Sequence, residues 1–177
     1  QRMGIPHFTL DLRDGARGDV VDDFLAGYAG GATPNPCVRC NGLVRFDSMT
    51  ELAQRLGAAK LTTGHYARIE QDDDGPVIRA AVDPRKDQSY VLARVDTDTL
   101  RRIGFPLGGY AKPEVRELAR RAGLPVADKP ESQDLCFLAG TGQQAFVERH
   151  GTAGMQGAPG EIVDRDGHVL GEHEGHH

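Results

Sequence analysis

The sequence predicts an α/β fold, and three observations carry that reading. Between Ile5 and Ile69 the hydrophobic pattern runs from strand-like alternation to helical spacing and back again. The helical stretches stop on glycines, Gly30-Gly31 and Gly57, where a chain leaves a helix through a left-handed cap. The stretch AAKLTTGHYARI then reads as a strand running into a turn at Gly64, the kind of strand end at which open α/β sheets meet their ligands.

Taken in order, Ile5 to Leu12 alternates as a strand does. DVVDDFLAGYAGG, from Asp19, has an acidic first turn and apolar Val20, Val21, Phe24, Leu25 and Tyr28 on one face. TPNPCVRCN, Thr33 to Asn41, is predicted to be a loop, because each proline removes a donor and pushes its predecessor out of the helical region. A helix is expected from Phe46 to Leu56, capped by Gly57. QDDDGP forms a turn before the short strand VIRAAV, and DPRKDQSYVLARV becomes helical after Lys86. TDTLRRIGF is a short helix capped by Thr or Asp. The clearest helix is KPEVRELARRAG, with Pro113 at its first position, Glu114 at the positive end, and Arg120 and Arg121 at the negative end. ADKPESQDLCFLAG reads as loop and strand around Cys136, and GQQAFVERHG as a helix. In GEIVDRDGHVLGEH, apolar residues flank Asp166-Gly167, a hairpin signal.

With 177 residues, 38% hydrophobic and 27% charged, the chain is expected to be a soluble globular protein of one ordinary domain or two small ones. No apolar run approaches the roughly 20 residues of a membrane span. Three cysteines, an odd number, argue against a disulfide-stapled secreted domain and for a reducing cytoplasm. A net charge of −5 does not advertise nucleic-acid binding, but binding depends on the local field rather than the total. The opening Gln1-Arg2-Met3-Gly4 reads as a helix end, and the closing hairpin would be marginal alone. Both suggest a piece of a longer protein.

Cys37 and Cys40 invite three explanations. A zinc clamp needs four ligands; Cys136 could be the third and His65 or His150 the fourth, but no second short-spaced pair exists. A thioredoxin-like couple needs the CxxC to open a helix after a strand, whereas this one follows a helix and a proline-rich stretch. The third explanation is reactivity, since Cys40 and Cys136 both fall in polar Gly/Pro-rich segments rather than the apolar runs that hold inert cysteines. His173, His176 and His177 read as stray residues of a chain end. His65 suits either a ligand contact or a satisfied turn. DPRKDQSY suits phosphate or sugar contacts, or a solvated helix start. Arg116 and Arg120 share a helix face, with Arg101, Arg102, Lys112 and Lys129 nearby; a phosphate-binding surface and an ordinary solvated face account for them equally. No GxxxxGK[ST] loop is present.

The motifs become specific in series: TPNPCVRCN, TTGHYAR, DPRKDQSYVL, FPLGGYAKPEVRELARRAGLPVADKPESQDLCF and GEIVDRDGHVLGEHEG. That series resembles the tRNA-specific 2-thiouridylase family along essentially the whole chain. The resemblance implies an ATP-dependent sulfurtransferase that replaces the 2-oxygen of the tRNA wobble uridine with sulfur. It implies the C-terminal half of a Rossmann-like ATP-pyrophosphatase (adenine nucleotide α-hydrolase-like) domain over 1–104. A small α+β central domain would follow over 105–157, and the first hairpin of a β-barrel over 158–177. The family's Ser-Gly-Gly-x-Asp-Ser phosphate loop falls upstream of IPHFTLDL, so this stretch alone is expected to be inactive.

Residue by residue, the family pattern PNPDxxCN makes Cys40 a catalytic cysteine and places Asn35, Pro36 and Cys37 against the target base. Cys37 stands where many members carry aspartate. Cys136, 96 positions beyond Cys40 (136 − 40), matches the persulfide-carrying cysteine. Gly64 matches a nucleotide-contacting glycine, His65 a neighbour facing tRNA, and Lys86, Asp87 and Gln88 a tRNA-contacting triplet. The implied cofactors are ATP with Mg2+ and persulfide sulfur from a donor protein. The implied partners are tRNA and a cysteine desulfurase or sulfur carrier, in the cytoplasm, with no membrane. A Cys40–Cys136 disulfide would close each cycle, both cysteines would ride on mobile loops, and the CxxC would be a coincidence of spacing. Two rivals remain: a non-enzymatic, zinc-stabilised RNA-binding module using Cys37, Cys40, Cys136 and a histidine, and an amidating ATP-pyrophosphatase relative with no use for Cys136.

Overall fold

The computed structural model describes residues 4–129, 135–138, 140–151 and 159–173. Outside them lie Gln1 to Met3, the Ser132-Gln133-Asp134 of SQDLCF, and His176 and His177. The first helical stretch runs through α1 (Arg13–Ala16), a π-helical turn (Arg17–Asp22) and α2 (Asp23–Ala29). It begins six residues before the expected Asp19, and it buries Val20, Phe24 and Leu25 on the anticipated face. The second stretch runs through α3 (Pro36–Arg39), a π-helical turn (Cys40–Arg45) and α4 (Phe46–Arg55), ending at Gly57 with φ +72°.

Two expectations are overturned here. Ile5 to Leu12 is not a strand: no ladder pairs it among the described residues, and Ile5, Phe8 and Leu10 are exposed. Alternation describes a face, but a strand exists only where a neighbour completes its hydrogen bonds. TPNPCVRCN is not a loop throughout, because Pro36 starts a helix. Asn35 takes the extended conformation (φ −105°, ψ 90°) that a following proline demands, and its side chain accepts a bond from the Val38 N–H at 3.4 Å. A proline at the first helical position has no N–H to waste and its φ already fits.

Among the described residues, six strands form three two-stranded sheets. β1 (Leu61–Thr62) pairs in parallel with β4 (Ile103–Gly104), a strand the sequence did not announce. β2 (Ala67–Asp72) pairs antiparallel with β3 (Gly75–Ala80) across the expected acidic turn. β5 (Gly160–Val163) and β6 (Val169–His173) form the expected hairpin, with Gly167 at φ +87°. His173 is therefore a paired strand residue, opposite Gly160, rather than a stray of the chain end. The architecture is mixed α/β with small sheets.

Between β3 and β4 the segment after Lys86 forms only a 3-10 turn, Ser89–Leu92, before α5 (Thr97–Leu100) capped by Asp96. α6 spans Lys112–Arg121 and α7 spans Gln143–His150. Around Cys136 there is a 3-10 turn, Cys136–Leu138, where a strand was expected.

Two apolar clusters hold these parts. Phe46, Ala67, Val91, Leu92, Leu100, Ile103 and Phe105 form one, with Cys37 packed against it. Phe24, Leu25, Leu138, Phe146 and Val147 form the other, joined by Leu135 and Phe137. The second cluster explains the missing strand: Leu135, Phe137 and Leu138 are spent anchoring the turn on α2 and α7, not on a ladder.

Candidate active site

The helix opened by Pro36 is tied to its neighbours on two sides and braced from within. Arg39 donates from Nε to the Asp19 carbonyl at 2.8 Å and pairs with Asp23 at 3.1 Å, tying it to the first stretch. Buried Asn41 donates from Nδ2 to the Cys37 carbonyl at 3.0 Å. Gly42 lies so close to Arg94 that a Cβ there would overlap its backbone, so only glycine admits this approach. From the opposite side, Phe137 packs edge-on against Phe24 with centroids 5.3 Å apart, which delivers Cys136.

The result is a pocket of about 100 Å³ whose walls include Cys37, Cys40 and Cys136. All three are free thiols; Cys136 is exposed and the other two half-buried. Val20, Val21, Pro36 and Phe137 make the rest largely apolar. Burial pushes the Cys40 thiol above its ordinary pKa, the Arg45 charge pulls it back, and negative charge on Cys136 raises it further. Cys37 is raised by burial and then by its two cysteine neighbours, with Arg45 again opposing. Cys40 is thus helical rather than on a mobile loop.

Arg45 also borders a second pocket, of about 470 Å³, with Met49, Thr62, Thr63, Gly64, His65 and Gln88. Gly64 follows the end of β1, as a strand-end ligand contact requires. The His65 Nδ1 lies 2.7 Å from the Thr63 hydroxyl, and its ring packs near Phe46 and Phe105. Burial, then the Arg45 charge, lowers its pKa and favours the neutral ring. Gln88 is bolted in place: its Oε1 accepts from the Tyr66 N–H at 3.0 Å and its own N–H donates to the Tyr66 carbonyl at 2.8 Å.

Asp87 shapes the loop. Its carboxylate accepts from the Ala81 N–H at 2.7 Å and the Ser89 hydroxyl at 2.6 Å. Against the upward push of burial, these bonds hold its pKa below the ordinary value. Lys86 lines a third pocket, of about 340 Å³, with Asp83, Arg85, Lys112, Pro113, Arg116 and Arg120.

Of the residues picked from sequence, Pro36, Cys37, Cys40 and Cys136 share the first pocket, and Gly64, His65 and Gln88 the second. Lys86 belongs to the third, Asn35 is a cap and Asp87 a brace. Sequence reasoning missed Arg45 and Asn41. Arg45 lies five residues after Cys40, a spacing a π-helical turn brings together, whereas an α-helical reading looks at three and four. Asn41 keeps a buried, unpartnered Oδ1.

The three sulfurs do not close into a compact ligand set. Among the described residues, the one trio of such atoms mutually within 4.8 Å is Asp164, Asp166 and His168. There Asp164 is engaged by the hairpin's own turn, accepting from the N–H groups of Asp166 and His168 at 2.9 Å. Among the described residues, no helix is long and apolar enough to cross a membrane.

The family profile described as tRNA methyl transferase HUP domain matches residues 1–140. The tRNA-specific 2-thiouridylase MnmA of Acidithiobacillus ferrooxidans is 46% identical over 175 residues, 98% of this chain and 49% of that protein. Its counterpart in Geobacter metallireducens is 48% identical over 176 residues, 99% of this chain and 47% of the relative. That of Heliobacterium modesticaldum is 44% identical over 177 residues, 98% and 46% respectively. The chain spans about half the length of the curated relatives it matches. The profile match over residues 1–140, together with these identities, makes the chain a member of the tRNA-specific 2-thiouridylase family.

Proposed function

We propose that the full-length protein is a cytoplasmic, ATP-dependent sulfurtransferase that makes 2-thiouridine at the tRNA wobble position. The observation that carries this reading is the meeting of Cys40 and Cys136, 96 positions apart in the chain, on one pocket wall. The names of its relatives support the tRNA substrate. The second pocket falls in the size range of small-molecule sites, with Gly64 on its wall as a nucleotide contact. ATP, with Mg2+, supplies adenylation, which turns the uracil 2-oxygen into a leaving group.

The chain's own residues do the rest. Exposed Cys136 takes sulfur from a donor protein, a cysteine desulfurase or sulfur carrier, as a persulfide whose terminal sulfur is more acidic than a thiol. That sulfur attacks C2 of the activated base and AMP leaves. The Cys40 thiolate then attacks the Cys136 sulfur, breaking the sulfur–sulfur bond and leaving 2-thiouridine and a Cys40–Cys136 disulfide for a dithiol to reduce. Arg45 favours the thiolates of Cys37 and Cys40, and His65 and the Lys86 to Gln88 triplet are the residues that would face tRNA. The domain divisions at 104 and 157, and a barrel beginning at 158, belong to the same reading.

The test is persulfide mapping. The full-length protein, incubated with a cysteine desulfurase and cysteine, should gain one sulfur atom on the peptide holding Cys136. Sulfur found first on Cys37 or Cys40 would overturn the assignment of roles.

A second reading draws on a different observation: Cys37 lines the same pocket as the other two. Thiolates select soft centres; the spacing of these three sulfurs does not suit a single zinc ion, whereas an iron–sulfur cluster takes one thiolate per iron, and three of them leave one iron open to a substrate atom. Persulfide chemistry needs two cysteines, whereas this reading needs all three. Metal analysis of anaerobically purified protein decides it: stoichiometric metal, lost in Cys37→Ser as fully as in Cys40→Ser, supports the metal centre. Metal-free, active protein removes it.

A further inference from the structure

Arg45 ends the π-helical turn that begins at Cys40, and it lines both the cysteine pocket and the pocket of Gly64 and His65. We propose that Arg45 holds the phosphate of a bound adenine nucleotide where the two pockets meet. The inference rests on the nucleotide reading of the second pocket given above, and it adds a residue that the family resemblance did not single out.

Among the described residues, Arg45 is the one formal charge on either wall. The rest of the cysteine pocket is apolar side chains, the three thiols and the amide of Asn41. The rest of the second pocket is Met49, Thr62, Thr63, Gly64, Gln88 and His65. Burial, with the Arg45 charge added, favours the neutral His65 ring. No carboxylate lies on either wall among the described residues, and none pairs with Arg45. Arg39 shows the contrast: it is likewise half-buried, but Asp23 lies 3.1 Å from its Nε. A half-buried guanidinium with no counter-charge has lost hydration without gaining an ion pair, so it favours an anion that enters beside it. Its field already acts on both sides. Burial raises the Cys37 and Cys40 thiols and the Arg45 charge opposes it, while at His65 the same charge works with burial.

The backbone at Arg45 is held by the core. Val44 and Phe46 on either side of it are 5% and 0% exposed, so the guanidinium starts from a fixed point and less order is lost on binding. The identity of the anion follows from the position. Adenylation joins the α-phosphate of the nucleotide to the uracil 2-oxygen. With adenosine in the second pocket and the base against the cysteines, that phosphate falls between the two, and Arg45 borders both. A planar guanidinium offers paired N–H donors that match two phosphate oxygens. When sulfur attacks C2 and the bond from C2 to oxygen breaks, AMP leaves with the electron pair. A cation on its phosphate favours that departure.

The experiment compares AMP with adenosine, which differ only in the phosphate. Isothermal titration calorimetry measures each on the full-length protein, for wild type, Arg45→Gln and Arg45→Lys. Wild type should bind AMP more tightly than adenosine. Arg45→Gln should cut that preference about tenfold, the scale of one charge-assisted contact. Arg45→Lys, which keeps the charge without the paired donors, should fall between the two. The ratio of the two affinities reads the phosphate contact, because a general disturbance of the pocket weakens both ligands together. Far-UV circular dichroism identifies the variants that fold, and Arg45→Met repeats the test should the glutamine variant not. If wild type prefers AMP and the uncharged variant keeps the whole preference, the phosphate contact is wrong while the nucleotide reading stands. If wild type binds neither ligand, the nucleotide reading fails and the contact fails with it.

Discussion

Cys136→Ser in the full-length protein is expected to abolish 2-thiouridine in tRNA digests. A serine hydroxyl cannot carry sulfane sulfur, so no nucleophile is left to displace AMP from the activated base. The expected loss is three orders of magnitude or more, roughly the scale on which enzymes fail when a covalent nucleophile is removed. Cys40→Ser gives the same end result by another route: the persulfide still forms on Cys136, but no thiolate releases its sulfur to the base. The two variants therefore differ in an observable way. Mass analysis after desulfurase treatment should find sulfur retained at Cys136 in Cys40→Ser and none at position 136 in Cys136→Ser. Near-normal 2-thiouridine in either variant would show that the roles are wrongly assigned. The prediction rests on placement, since both cysteines line one pocket while the apolar clusters behind them fix the helix and the turn on which they ride.

The largest effect on stability is expected at Phe46. Its side chain is 0% exposed. It meets Phe105 edge-on at 6.2 Å and the His65 ring at 5.7 Å. Phe46→Ala removes a ring from a close-packed cluster and leaves a cavity the neighbours cannot fully fill, at a cost of about 3–5 kcal/mol. Against the roughly 5–15 kcal/mol that holds a typical domain together, this is a large share. Urea denaturation should show it as a lower midpoint. Phe46→Leu, which keeps most of the apolar volume, should lose much less. A change below about 1 kcal/mol for the alanine variant would mean the cluster is not packed as described. Phe46 also begins α4 directly after the π-helical turn that carries Cys40 and Arg45. Loosening it should therefore disturb the cysteine pocket as well as the fold.

Much of this was legible in the sequence, for local reasons. The α6 helix announced itself through Pro113, Glu114 and its terminal arginines, and the closing hairpin through Asp166-Gly167. The second helix ended at Gly57 as its cap required. Such signals depend on a few neighbouring residues and so survive whatever the rest of the chain does. The failures share a cause of the opposite kind. Ile5 to Leu12 alternates, but alternation supplies no partner strand. The residues around Cys136 carry a loop-and-strand pattern but form a 3-10 turn, because Phe24, Phe146 and Val147 claim their apolar side chains. In TPNPCVRCN the prolines forbid a helix interior, but Asn35 and Pro36 suit a cap and a first helical residue.

For the site, the sequence by itself determined the family resemblance, the reactive residue types and their order along the chain. The resemblance implied that Cys40 and Cys136 belong together, but not what surrounds them. Only the tertiary structure put Cys37 on the same wall, set Arg45 between two pockets, and folded the Arg85 loop against α6 through Asp83. The physical reason is range. Caps, turns and helix faces are settled by interactions over three to five residues. A pocket's charge and company depend on which distant segments apolar packing drives together, and Cys136 reaches Cys40 because Phe137 and Leu138 have a core to fill.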